Sequence, residues 1–141
     1  MQQRHRTRFT AMVITTLMVL ALLTSVSTTH AQPPPCGSPN LTIKNGTPCT
    51  INFCLKGIGG VFCWTAPAGT AIVVPMPPGF VPLGVINTGN NTTYPFIPSG
   101  QPQAPWWVPN ITLSGCCCDV LYDPSICVMW ILNTTSPPPC Q

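Results

Sequence analysis

The chain has 141 residues, with five Lys or Arg, two Asp or Glu and two His. His5, His30, Arg4, Arg6 and Arg8 all precede residue 32, so the remainder keeps Lys44, Lys56, Asp119 and Asp123 and is formally neutral. Acid–base catalysis by histidine, most zinc chemistry and arginine recognition of phosphate lack their groups there, and no basic patch exists for nucleic acid, so the expectation is a non-enzyme without metal or cofactor.

Residues 1–31 have the layout of a secretory signal peptide. Arg4, Arg6 and Arg8 form a positive leader, Ala11 to Val26 an apolar run, and Thr29-His30-Ala31 a cleavage junction. The apolar run falls short of the roughly 20 residues that span a bilayer, so no membrane span is expected after cleavage. All 19 prolines, 11 glycines and nine cysteines follow it. Proline at that density forbids long helices, and β-branched residues between turn signals favour strands. The expected product is one secreted domain, 32–141, with proline-rich ends at 32–35 and 137–139.

Taken in order, Leu41-Thr42-Ile43-Lys44 alternates and runs into Asn45-Gly46, a strong hairpin-turn signal. Cys49 to Lys56 alternates again, with Cys49, Ile51, Phe53 and Leu55 on one face. A turn at Gly57-Ile58-Gly59-Gly60 would return the chain as Val61 to Trp64 and set Cys54 opposite Cys63. Thr70 to Pro75 and Phe80 to Asn87 read as strands, the second weakened by Pro82. Residues 88–110, punctuated by five prolines from Pro95 to Pro109, read as a long irregular loop carrying Tyr94, Phe96, Trp106 and Trp107. Ile111 to Ser114 is extended, and Cys116 to Tyr122 pairs with Ile126 to Asn133 about Asp123-Pro124-Ser125. The last strand is apolar on both faces and should be central. Such spacing predicts an all-β fold, a small antiparallel β-sandwich of Ig-like or jelly-roll-like kind, stapled by disulfides.

Nine cysteines in a short exported chain imply a disulfide framework. The expected pairs are Cys54 with Cys63 and Cys36 with Cys140, while Cys49 and Cys127 take partners from Cys116, Cys117 and Cys118. One cysteine is then left, either a buried thiol or a link to another chain in a disulfide-bonded oligomer. A strand directs Cys116 and Cys118 to one face and Cys117 to the other, which argues against a metal site. Asp119 and Asp123, about 13 Å apart on a strand, lie too far apart for a glycosidase pair, and Asp123 suits a turn.

Six sequons begin at Asn40, Asn45, Asn90, Asn91, Asn110 and Asn133, glycosylation candidates if the source is eukaryotic. Trp106, Trp107 and Tyr94 on the 88–110 loop are the candidate ligand-binding rings, whereas Trp64 and Trp130 are assigned to the core. Two roles fit: a structural or adhesive module with a matrix or cell-surface partner, or a carbohydrate-binding module that holds polysaccharide through those loop rings.

Overall fold

The structure, a computed structural model, describes residues 31–101 and 104–134. The signal segment up to His30, the 137–139 proline run and Cys140 lie outside the described residues. Ten strands form: β1 Asn40–Asn45, β2 Ile51–Ile58, β3 Gly60–Ala66, β4 Ala71–Pro75, β5 Val81–Asn87, β6 Thr92–Pro95, β7 Ile97–Gln101, β8 Ala104–Leu113, β9 Cys116–Asp123 and β10 Val128–Asn133. They make two sheets, ordered β4-β1-β10-β9-β8-β7 and β3-β2-β5-β6. Every pairing is antiparallel except β1 with β10, which run parallel at the middle of the larger sheet. The expected all-β sandwich is therefore present, and β10 is central.

The core lies between the sheets and follows the alternation of the sequence. Ile51, Phe53 and Leu55 of β2 are buried, as are Leu41 and Ile43 of β1, Val108, Ile111 and Leu113 of β8, Val120 and Tyr122 of β9, and Met129 and Ile131 of β10. Each such side chain gains about 1.5–3 kcal/mol from leaving water, which offsets the ordering of the strands that carry it. Phe96, buried where the chain passes from β6 to β7, tilts against Tyr122 with ring centroids 5.7 Å apart.

Two expectations fail here for identifiable reasons. Residues 88–110 are not an irregular loop, because they supply β6, β7 and most of β8. β6 and β7 are the outer strands of their sheets, where a missing N–H leaves no ladder bond unmade, so Pro95 and Pro98 are tolerated. Pro109 sits where the β8–β9 register shifts between Val108 and Ile111, and the Asp119 carboxylate accepts the Asn110 N–H there at 2.8 Å. Asn45-Gly46 is not a hairpin turn either. β1 ends there, and the chain crosses to the other sheet.

The buried Asn45 side chain ties that crossing to the return crossing after β3. Its Nδ2 donates to the Cys49, Ala66 and Pro67 carbonyls at 2.8, 2.9 and 3.1 Å, and its Oδ1 accepts from Thr47 N–H and Oγ1 at 3.0 and 2.7 Å. Asn87 makes a second bridge between sheets, donating from Nδ2 to the Thr112 carbonyl at 2.6 Å.

Pro82 enters the smaller sheet opposite Gly57, where β2 shifts register against β5 between Lys56 and Gly57. The Phe80 ring closes over Gly57, and a Cβ there would lie 2.2 Å from the Val81 carbonyl oxygen. That oxygen is backbone and cannot turn aside. Gly57→Ala is therefore expected to cost about 1–3 kcal/mol in urea unfolding; an unchanged midpoint would show that the bulge is loose.

Three disulfides staple the described residues: Cys36–Cys127, Cys49–Cys116 and Cys54–Cys63. Such bridging belongs to an oxidising, extracellular type of environment. The Cys54–Cys63 pair is as expected, with Cys54 and Cys63 in register across β2 and β3. Cys49 does take its partner from the triplet, and that bridge joins the two sheets. Cys36 does not pair with Cys140, nor Cys127 with the triplet. Antiparallel pairing puts Cys118 opposite Asn133, so Cys127 lies at the opposite end of the β9–β10 hairpin from the triplet. Parallel pairing of β10 with β1 brings Cys127 instead to Cys36, with Cα atoms 5.3 Å apart. Cys117 is disulfide-bonded as well.

Candidate functional site

The alternation that buries one face of the larger sheet turns the other outward. Strand register lines up one residue from each strand in a single transverse row on that outer face: Ala71, Lys44, Trp130, Leu121, Trp107 and Ile97. Lys44 confirms the side, since its Nζ stands 5.9 Å from the centroid of the Trp130 ring. Trp130, Leu121 and Trp107 are half-buried, and Ile97 is 42% exposed. The two indoles are separated by one strand, a spacing of about 9–10 Å. Val73, Val128 and Leu132 lie in the neighbouring rows of the same face, Val73 at 65% exposure.

Its polar members are few. Lys44 is the cation, Asp119 and the buried Asp123 the anions, with Thr42 in the row of Val128 and Thr112 farther off, opposite Cys117. Asp119 faces outward from β9 and is held in place by two donors, Asn110 N–H to Oδ1 at 2.8 Å and Thr134 Oγ1 to Oδ2 at 3.0 Å. Asp123 accepts from Ser125 N–H at 2.8 Å and Oγ at 2.6 Å, the turn-forming role its place before Pro124 implies. Both carboxylates thus hold backbone turns and bulges in place. Among the described residues no three His, Cys, Asp or Glu side chains gather as a metal site.

The three rings singled out from sequence do not share a face. Trp106 pairs with Tyr122, and Tyr94 with Val85, so both turn toward the interior and pack on the core. Trp107 alone of the three is outward. Its partner is Trp130, assigned from sequence to the core because β10 is apolar on both sides. The signal was present in the register: with β9 and β10 joined at Asp123-Pro124-Ser125, Leu121 falls opposite Trp130. Trp64 is on the inner face as expected, 6.1 Å from the Phe53 ring.

Of the sequon asparagines, Asn40, Asn90, Asn91 and Asn133 are exposed and Asn110 is half-buried. Asn45 is 2% exposed with its amide committed to the crossings, so the folded site is closed to a glycan.

Among the described residues the free cysteine is Cys118, fully buried on the inner face of β9. Burial pushes its thiol up to about 12, with Asp119 adding repulsion. The thiolate is the reactive form, so Cys118 should resist alkylating reagents at pH 8 in the folded protein and take up one equivalent only after denaturation. Rapid native labelling at Cys118 would contradict the sealed interior. Tyr122, also buried and beside Asp123, is likewise raised to about 12. Both groups fold in their neutral forms, so their contribution is complete below the unfolded values of 9.0 and 10.0 and is lost as pH rises through that range toward 12.

No protein-family model, curated protein or solved structure matches the chain.

Proposed function

We propose that the protein is a secreted, non-catalytic adhesive module of an extracellular layer, working through the outer face of the six-stranded sheet. The observation that carries this reading is the outward row of Trp130, Leu121, Trp107 and Ile97, on a face whose charged members among the described residues are Lys44, Asp119 and the buried Asp123. Disulfides joining strands and sheets suit a part that must keep its shape in an oxidising space. The signal-like leader supplies export, and the exposed sequons would carry glycans where the source glycosylates. With the free thiol Cys118 enclosed, adhesion by this face needs no covalent link to another chain.

The test is retention of the oxidised, processed protein on washed cell-wall or matrix material from the producing cells. Trp107→Ala/Trp130→Ala is expected to lower retention at least tenfold while leaving the near-ultraviolet circular dichroism of a folded chain. Retention that ignores both rings would place adhesion elsewhere or nowhere.

A further inference from the structure

We infer that the outer row is a binding strip for a single chain of a neutral polysaccharide, lying across the strands from Ile97 toward Lys44. This deepens the adhesive reading and rests on it.

Shape argues for a linear ligand. The row crosses six strands, about 24 Å end to end, and is one side chain wide, about 7 Å. That strip offers less than a third of the area that each partner gives to a stable protein–protein contact, roughly 800 Å². The rows on either side carry Val73, Val128 and Leu132 but are broken by Thr42 and Asp123 on one side and by Asp119 on the other, so the apolar line runs unbroken only along the single row. A strip long in one direction and narrow in the other fits a polymer chain.

Charge argues for a neutral one. Lys44 is met by Asp119, and Asp123, opposite Val128, is buried and held by Ser125, so the face offers an anionic polymer, a nucleic acid or an acidic lipid surface no net attraction. Aromatic faces complement the C–H faces of pyranose rings through apolar contact, and neighbouring polar groups meet the hydroxyls at the ring edges. Here Trp107 and Trp130, the second with the Lys44 ammonium over its ring, would supply two such faces on either side of Leu121. Their interval of about 9–10 Å is close to two pyranose residues of an extended chain, so alternate sugars would rest on indoles. Asp119, in the adjoining row, supplies acceptors already fixed by Asn110 and Thr134. A fixed carboxylate loses less freedom on binding than a free one, which favours its use as an anchor.

Twist refines the ligand class. Neighbouring strands turn by roughly 20–25°, so the two indoles are not coplanar across their two steps. A twisted strip suits one flexible chain in solution or in an amorphous region, and suits a flat crystalline surface poorly.

The experiment is native affinity electrophoresis of the oxidised protein in gels containing hydroxyethylcellulose, mixed-linkage β-glucan, galactomannan or, as an acidic control, polygalacturonate. Sedimentation at several protein concentrations runs beside it. Retardation by at least one neutral polymer is expected and none by polygalacturonate, with Trp107→Ala and Trp130→Ala each weakening it at least tenfold. Val61→Ser, on the outer face of the other sheet, should leave retardation unchanged. Failure of every neutral polymer, with retention on matrix material still dependent on the two rings, would overturn the polysaccharide and leave the adhesive face standing. Concentration-dependent dimers abolished by the same substitutions would overturn it in favour of a second copy of the chain. Binding to polymer and matrix that both ignore the rings would remove the adhesive reading as well.

Discussion

Asn45→Ala should destabilise the fold by about 3–5 kcal/mol, more than any single outward substitution. Its amide is buried and bridges two chain crossings, so truncation strands three carbonyls and the Thr47 donors at once. Each buried polar group left unpaired costs about 1–3 kcal/mol, and water reaches only part of the gap. Asn45→Asp is the sharper test. It keeps the size and the Oδ1 acceptor but turns an oxygen toward the Cys49, Ala66 and Pro67 carbonyls. Burial and those carbonyls disfavour the ionised form, so the new carboxyl would titrate above its unfolded value of about 3.9. A raised carboxyl stabilises relative to its ionised state below that value and loses the advantage as pH climbs, so this variant should be least damaged near pH 3 and fail toward neutrality. Asn45→Ala should show no such slope. Urea unfolding at pH 3 and pH 7 distinguishes them, and a loss of under about 1 kcal/mol for Asn45→Ala would show that the crossings hold without the amide.

The second large effect concerns Cys49–Cys116. This bridge joins the start of β2 in one sheet to the start of β9 in the other and closes a separation of 67 residues. Chain-entropy reasoning gives about 4 kcal/mol for a loop of that size, against about 2.5 kcal/mol for the separation of nine closed by Cys54–Cys63. The smaller bridge also lies across a hairpin whose register is fixed by its neighbours. Replacing Cys49 and Cys116 together by Ala should therefore lower the melting temperature by roughly 15 °C or more. Replacing Cys54 and Cys63 should cost distinctly less. Equal losses would mean that unfolded-chain entropy is not what these bridges act on.

Where hydrophobic alternation was strict, the fold could be read directly. Ile51, Phe53 and Leu55 fix the inner face of β2, and the same alternation places Cys54 opposite Cys63 and splits Cys116 and Cys118 from Cys117. Proline obscured the next stretch, because density of proline signals a loop whether or not the residues lie on outer strands and bulges that have no use for the N–H. Asn45-Gly46 misled for a related reason: its turn chemistry is local, while the partners of Asn45 lie 4 to 22 residues away along the chain. The outward row was half legible. Trp107 stood out by its neighbours, but Trp106 beside it points inward, and only cross-strand register pairs Trp107 with Leu121 and Trp130. Cys127 was misassigned because nothing local announces that β10 runs parallel to β1.

That parallel pair has a consequence in time. β1 and β10 sit side by side at the centre of the larger sheet, though some 80 residues of chain separate them. The Cys36–Cys127 bridge fastens both strands just before they begin, and Thr42 N–H donates to the Cys127 carbonyl at 3.0 Å. Hairpins such as β2–β3 and β8–β9 can form from neighbouring sequence, but β1 and β4 stay detached from the rest of their sheet until residues 128–133 arrive. Contacts of such high sequence separation make for slow closure, and a chain threaded through a pore from its first residue would finish folding only after almost all of it had crossed. Oxidation of Cys36 with Cys127 would then report the closing of the larger sheet, and a chain ending before residue 128 would leave the β1–β4 pair without a sheet to join.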